Sequence, residues 1–158
     1  MKLREIVIED AIIPNIESTE RDVVISTMID AFVAADAVDP SLRDDFIKAV
    51  IKRENRGSTG FGHGVAVPHV KHKAIEKMAV AIGVSHKGID FNSLDRQPVH
   101  SVFLLLSPEE RPEDHLDAME AIFGHLSQDT FRSFLQQAHT TADILMLIDE
   151  ADSQTSAP

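Results

Sequence analysis

From Val99 to Leu106 the chain reads Val-His-Ser-Val-Phe-Leu-Leu-Leu, a strand-length and almost continuously apolar run that Ser107-Pro108 stops. A strand with so little alternation is apolar on both faces. It belongs in the middle of a sheet, with cover on each side. A second compact apolar run, Met78 to Val84, is also of strand length and is bounded by the turn signal Lys87-Gly88. Val65-Ala66-Val67 is a third, shorter run that Pro68 ends. The cover must come from helices, and the flanks supply them. The expected fold is therefore α/β, a single domain with a small mixed β-sheet flanked by helices on both sides.

The helical stripes follow the 3.6-residue period. Val24, Ile25, Met28, Ile29, Phe32 and Val33 form one apolar face after a candidate cap at Ser18-Thr19. Asp39-Pro40 opens the next helix, with Asp as cap and Pro at the first helical position. Phe46, Ile47, Val50 and Ile51 are its buried stripe, and it ends near Asn55. After the strands, Leu116, Met119, Ile122, Phe123 and Leu126 predict one helix face, and Ser127 caps a short helix with Phe131, Phe134 and Leu135. Thr140 and Asp143 read as the cap of a last helix carrying Ile144, Leu145, Leu147 and Ile148. Residues 1–17, with their isoleucines around Pro14, read as an irregular or short-strand entry. The expected organisation is one domain over residues 1–150 and a disordered tail over residues 151–158, which have nothing apolar enough to bury.

Composition removes several functions. A chain of 158 residues can bury a core without staples, and it contains no cysteine. Disulfides, thiolate nucleophiles and thiolate metal sites are excluded together. The net charge of -11 opposes binding to a phosphate backbone, so nucleic acid is not an expected partner. The N-terminal Met1-Lys2-Leu3-Arg4-Glu5 is unlike a signal peptide. No stretch has the apolar length of a membrane span, so no direct membrane insertion is expected and the chain reads as cytoplasmic. There is no P-loop, dinucleotide fingerprint or nucleophile elbow.

What remains is histidine. Eight are present, three of them in Gly62-His63-Gly64-Val65-Ala66-Val67-Pro68-His69-Val70-Lys71-His72. Pro68 fixes its own φ and drives Val67 towards extended backbone, placing His69 just past a short strand on a stiff segment. The glycines at 60, 62 and 64 let the preceding loop approach a ligand closely. An imidazole nitrogen can act as a nucleophile and is neutral at physiological pH in its ordinary range. An ordinary surface histidine fits the same residues. So does a metal site built from His63, His69 and His72, although the spacing H-x5-H-x2-H is no zinc signature. His115 lies near the start of a predicted helix, where an anion is favoured. Arg53 ends a helix, either complementing its dipole or holding a phosphate with its planar fork. His100 reads as a satisfied core residue, and His86, His125 and His139 as surface positions.

Three segments in order carry a resemblance. Arg53-Glu54-Asn55-Arg56-Gly57-Ser58-Thr59-Gly60-Phe61-Gly62-His63-Gly64-Val65-Ala66-Val67-Pro68-His69 resembles the phosphorylation-site motif of enzyme IIA domains of the sugar phosphotransferase system, fructose/mannitol type. The nitrogen-regulatory enzyme IIA proteins share it. Lys87-Gly88-Ile89-Asp90-Phe91-Asn92-Ser93-Leu94-Asp95 with Pro98-Val99-His100 is similar to a second family segment, and Phe103 to Pro108 leading to His115-Leu116 to a third. The likeness spans about residues 3–150. It implies a phosphocarrier in which His69 accepts a phosphoryl group from the histidine-containing phosphocarrier protein. An enzyme IIB partner would then receive it, in this type usually on a cysteine. It implies His115 as a donor to the phosphoryl oxygens and Arg53 as charge stabiliser, with no cofactor and no metal. Phe61, Val70 and Met78 are candidates for docking surface. His63 and Val70 depart from the family pattern, His63 as a second imidazole near His69. The alternative implied by the nitrogen-regulatory relatives is a switch whose phosphorylation state controls binding to regulatory target proteins.

Overall fold

The computed structural model describes residues 1–155, and the side chains of residues 1–154. In chain order the elements are α1 (Leu3–Ile6), β1 (Val7–Ile13), α2 (Arg21–Ala34), a 3-10 turn (Pro40–Leu42), α3 (Arg43–Arg56), β2 (Gly60–Gly62), β3 (Val65–Ala66) and β4 (His69–His72). They continue with β5 (Ala79–Ile89), β6 (Val99–Pro108), α4 (Pro112–Leu126), α5 (Asp129–Gln137) and α6 (Thr141–Thr155).

The apolar run at Val99 is the spine. β6 pairs antiparallel with β5 along one edge, Ala81 opposite Leu104. Its other edge takes β3 and β4, both parallel, with Val65 opposite Ser101 and His69 opposite Leu105. β1 joins β5 in parallel and β2 joins β3 antiparallel, giving a mixed six-stranded sheet. Successive β6 side chains enter different cores, as the strand period of two requires. Phe103 and Leu105 join α1, α4, α5 and α6 on one face. Val102, Leu104 and Leu106 join α2 and α3 on the other. The expected architecture, a mixed sheet with helices on both sides, is the one observed.

Several expectations need correction. The tail does not begin at residue 151: α6 runs to Thr155, and residues 156–158 lie outside the described residues. Asp152 is the reason. Its carboxylate is buried and accepts from the backbone N–H of Leu3 at 3.1 Å and of Arg4 at 2.8 Å, capping α1. His125 is not a surface residue. It is buried and its Nε2–H donates to Asp152 Oδ1 at 2.7 Å. The α4 face is turned accordingly: His115, Ala118, Ile122, His125 and Leu126 are buried, while Leu116 is exposed. Phe134 is likewise exposed on α5, and Gln128 rather than Ser127 is the cap residue. β5 does not stop at Lys87-Gly88 but continues to Ile89 through an irregularity in its pairing. Residues 1–17 hold a short helix and a full strand.

The cap residue of α2 is Glu20, not Ser18-Thr19, and its side chain makes no cap bond. The caps read at Asp39 and Thr140 hold. Asp39 Oδ1 accepts from Ser41 N–H at 2.9 Å, and Thr140 Oγ1 from Asp143 N–H at 3.0 Å. Among the described residues no helix is long and apolar enough to cross a membrane.

Candidate active site

Pro68 interrupts what would otherwise be one strand beside β6. It has no N–H to give, but its carbonyl still accepts from Leu105 N–H at 3.0 Å. The chain resumes at once as β4, so His69 is the first residue of a strand rather than the end of one. Its ring is half-buried, and Nδ1 lies 2.9 Å from the carbonyl oxygen of Val67. A carbonyl can only accept, so Nδ1 carries the hydrogen and Nε2 keeps the lone pair. Two residues of stiff backbone thus fix ring orientation and tautomer together.

His115 faces it from α4. The ring centroids are 5.4 Å apart with an interplanar angle of 56°. His115 is buried, and its Nδ1 is 2.7 Å from Ser107 Oγ at the end of β6. Burial lowers the pKa of His69, assisted by the charges of Arg53 and Lys71 and opposed by the Val67 hydrogen bond. His115 is pushed down to about 4 by burial, with smaller contributions from His69 and Lys71. Both imidazoles are therefore neutral near pH 7.

A cleft of about 430 Å³ opens beside His69, lined by Ala49, Lys52, Arg53, Arg56, Val70 and Lys71. Four of these are cations, in a chain of net charge -11. Lys52, Arg56 and Lys71 have no ion pair or side-chain hydrogen bond among the described residues. Arg53 Nη1 donates to the Gly57 carbonyl at 2.9 Å, closing the C-terminus of α3, and still lines the cleft. The structure thus brings Arg53, His69 and His115 to one place and adds Lys52, Arg56 and Lys71. Sequence reasoning missed Lys52 and Arg56 because cations near a helix end read as dipole partners, and Lys71 because a strand lysine reads as solvated surface. It missed Ser107 as the His115 partner because a strand serine reads as filler.

The loop before His69 is held from below. Glu54 continues the buried stripe of Phe46 and Val50, four residues per step. Its carboxylate accepts from Thr59 N–H at 3.1 Å and from Thr59 Oγ1. Burial raises the Glu54 pKa, against the lowering effect of these Thr59 bonds and the Arg21 and Arg53 charges. Beyond it, β2 and β3 are joined by His63 and Gly64 with φ of 59° and 74°. Positive φ at both positions is what a tight I′ hairpin turn requires. Glu54→Ala leaves two buried Thr59 donors unmatched. It should cost about 1–3 kcal/mol of stability, read as a lower urea midpoint with an unchanged slope.

The other histidines separate. His63 sits in the exposed hairpin turn. His72 packs its ring on Phe46 at 4.6 Å, and its Nδ1 accepts from Ala74 N–H. No three residues of metal-ligand type converge among the described residues, so the H-x5-H-x2-H segment is not gathered into a metal shell. His100 is partly buried and donates from Nδ1 to the Ser85 carbonyl at 2.8 Å. His86 and His139 are exposed and stack on each other at 4.8 Å. Of the apolar docking candidates, Phe61 is 49% exposed and meets Phe123 edge-on at 5.7 Å. Val70 and Met78 are partly buried against the two cores.

Comparison with known proteins identifies the family and the fold. The family model for the phosphoenolpyruvate-dependent sugar phosphotransferase system, EIIA 2, matches residues 5–151. The fructose-specific EIIA component of Haloferax volcanii is 35% identical over 129 residues, covering 80% of this chain and 82% of that protein. A nitrogen regulatory protein of Bradyrhizobium diazoefficiens is 35% identical over 122 residues, covering 77% and 78%. The fructose-specific EIIABC component of Bacillus subtilis is 34% identical over 152 residues, 96% of this chain, which spans only 24% of that longer protein. Among solved structures, nitrogen regulatory protein IIA-Ntr from Neisseria meningitidis superposes with a TM-score of 0.83 at 24% identity, covering 92% of this chain and 98% of that one. IIA mannitol from Escherichia coli superposes with a TM-score of 0.73 at 18% identity, covering 88% and 96%. At these identities the structures speak to the fold. The chain belongs to the EIIA type 2 family of the phosphoenolpyruvate-dependent sugar phosphotransferase system, whose members include fructose-specific and nitrogen-regulatory proteins.

Proposed function

We propose that this chain is a cytoplasmic phosphocarrier that accepts a phosphoryl group on Nε2 of His69 and hands it to an enzyme IIB partner in sugar uptake. The donor is the phosphohistidine of the histidine-containing phosphocarrier protein. The observation that carries the reading is the neutral His69 ring, tied through Nδ1–H to Val67 and opening on a basic cleft. The lone pair of Nε2 attacks phosphorus, the new N–P bond forms, and the donor's N–P bond breaks to release its imidazole. The His69 ring becomes formally cationic, and the Val67 carbonyl at Nδ1–H stabilises that charge. Phosphoryl transfer asks mainly for positioning and for donors aimed at the equatorial oxygens. Arg53 supplies charge, and His115 supplies an Nε2–H donor if Ser107 gives its hydroxyl hydrogen to Nδ1. No cofactor or metal is needed for these steps.

Uptake requires the unprotonated His69 ring. The single-turnover rate from a phosphorylated donor should stay flat through neutral pH. It should fall tenfold per unit only once pH drops below the lowered His69 pKa, under the ordinary histidine value of 6.5. A rate already falling at that ordinary value contradicts the buried, neutral ring.

A second reading is favoured by the nitrogen regulatory relative that this chain matches over 78% of its length. In it the phosphorylated and free forms bind different target proteins, and onward transfer is not obligatory. One experiment tests both. The chain is incubated with phosphoenolpyruvate, enzyme I and the phosphocarrier protein, and intact mass is followed before and after adding enzyme IIB. Gain of a phosphoryl group followed by its loss to enzyme IIB supports the carrier. Gain and retention supports the switch. No gain contradicts both.

A further inference from the structure

The Lys87-to-His100 motif contributes no residue to the lining of the His69 cleft, and it builds a cleft of its own. This cleft, of about 610 Å³, is lined by Thr19 and by residues from Gly88 to Pro98, and shares no lining residue with the His69 cleft. Its polar side chains are Thr19, Asp90, Asn92, Ser93, Arg96 and Gln97. There is one carboxylate and one guanidinium, and they do not pair with each other. Asp90 Oδ1 accepts only from Asn92 N–H at 3.1 Å, and the Arg96 side chain has no partner among the described residues.

Two further observations mark the place. Asn92 and Arg96 hold φ of 52° and 60°, a left-handed conformation that non-glycine residues adopt rarely and that gathers at functional sites. Ser93 Oγ is buried without a hydrogen-bond partner, the one such side-chain atom among the described residues. Ser93 packs so closely on Gly60 that a Cβ there would meet its Oγ at 2.5 Å. Leu94 N–H also donates to the Gly60 carbonyl at 2.8 Å, and Ser58 Oγ donates to the Phe91 carbonyl at 2.9 Å. The cleft wall and the strand that leads towards His69 are thus held together.

We propose that this cleft binds a small zwitterion of the free α-amino acid class. Asp90 takes the ammonium group, Arg96 takes the carboxylate in its planar fork, and Asn92, Gln97 and Thr19 face the side group. The lining chemistry selects this class over two others. A phosphorylated compound would meet the Asp90 charge. A sugar would find no aromatic ring to stack on. The unmatched Ser93 hydroxyl adds one polar group within the wall.

The test uses the unphosphorylated, ¹⁵N-labelled chain and its backbone amide spectrum. Each protein amino acid is titrated in turn, up to roughly 10 mM, where even weak sites fill. At least one should shift the amides of Asp90, Asn92 and Arg96, and those of Leu94 and Gly60 through their hydrogen bond. The amide and the N-acetyl derivative of that same amino acid should each bind at least about tenfold more weakly, since each lacks one charge. Asp90→Asn and Arg96→Gln should weaken binding about tenfold or more while leaving phosphoryl uptake, read by intact mass, at the wild-type level. The proposal is overturned if no amino acid shifts these amides, or if the singly charged derivatives bind as well as the parent. Unchanged binding in both variants also overturns it. Binding is read without phosphorylation, so its failure and a failure of the carrier reading are separate results.

Discussion

Alanine at position 69 should abolish phosphoryl uptake, and alanine at position 115 should slow it by about 10²–10³-fold without abolishing it. The difference follows from place. In the proposed transfer His69 holds the lone pair that forms the N–P bond, and Val67 has already committed Nδ1. Neither His63, in an exposed turn, nor His72, packed at a tilt against Phe46, shares that setting. His115 forms no bond to phosphorus. In the proposed transfer it acts as a neutral donor on developing charge, and Arg53 remains to hold part of that charge. Quenched-flow uptake with mass detection separates the two outcomes. Equal rates for wild type and His115→Ala would remove His115 from the machinery.

Asp152→Ala should lower stability by about 3–5 kcal/mol, a large share of the roughly 5–15 kcal/mol that holds a domain together. The donors that meet at this carboxylate include the His125 ring and the N–H groups of Leu3 and Arg4. His125 and Asp152 are both almost fully buried, so water cannot replace the lost partner. The α1 segment and the C-terminal turns of α6 should loosen together, visible as faster amide exchange at both ends of the chain. Asp152→Asn keeps one acceptor oxygen and should lose less. A urea midpoint unchanged in Asp152→Ala would mean that the buried cluster contributes nothing to stability.

The same cluster shows where the sequence was legible and where it was not. β6 could be read because its apolar character is local: each residue announces its own burial, and both faces are covered as expected. His69 could be singled out because Pro68 and the glycine loop mark the backbone, and the family likeness adds Arg53, which lines the same cleft. Residues 151–155 look like a polar tail, because the partners of Asp152 lie at the opposite end of the chain. His125 looks like surface for the same reason. On α4, Leu116 and Phe123 pulled the expected face off by about one position. The true face buries two histidines that are satisfied by Ser107 and Asp152. No helical period can foresee that trade, since the partners come from other elements. The basic cleft was hidden in the same way: Lys52, Arg53 and Arg56 leave α3, Lys71 leaves β4, and only the fold brings them together.

The most direct test of the central claim is to locate the phosphoryl group after incubation with phosphoenolpyruvate, enzyme I and the phosphocarrier protein. Fragment mass spectrometry gives the residue, and nitrogen-15 NMR of labelled histidine gives the ring atom. The account predicts a single acid-labile group on Nε2 of His69, absent from His69→Ala. A group on Nδ1, on His63 or His72, or no group at all would contradict it.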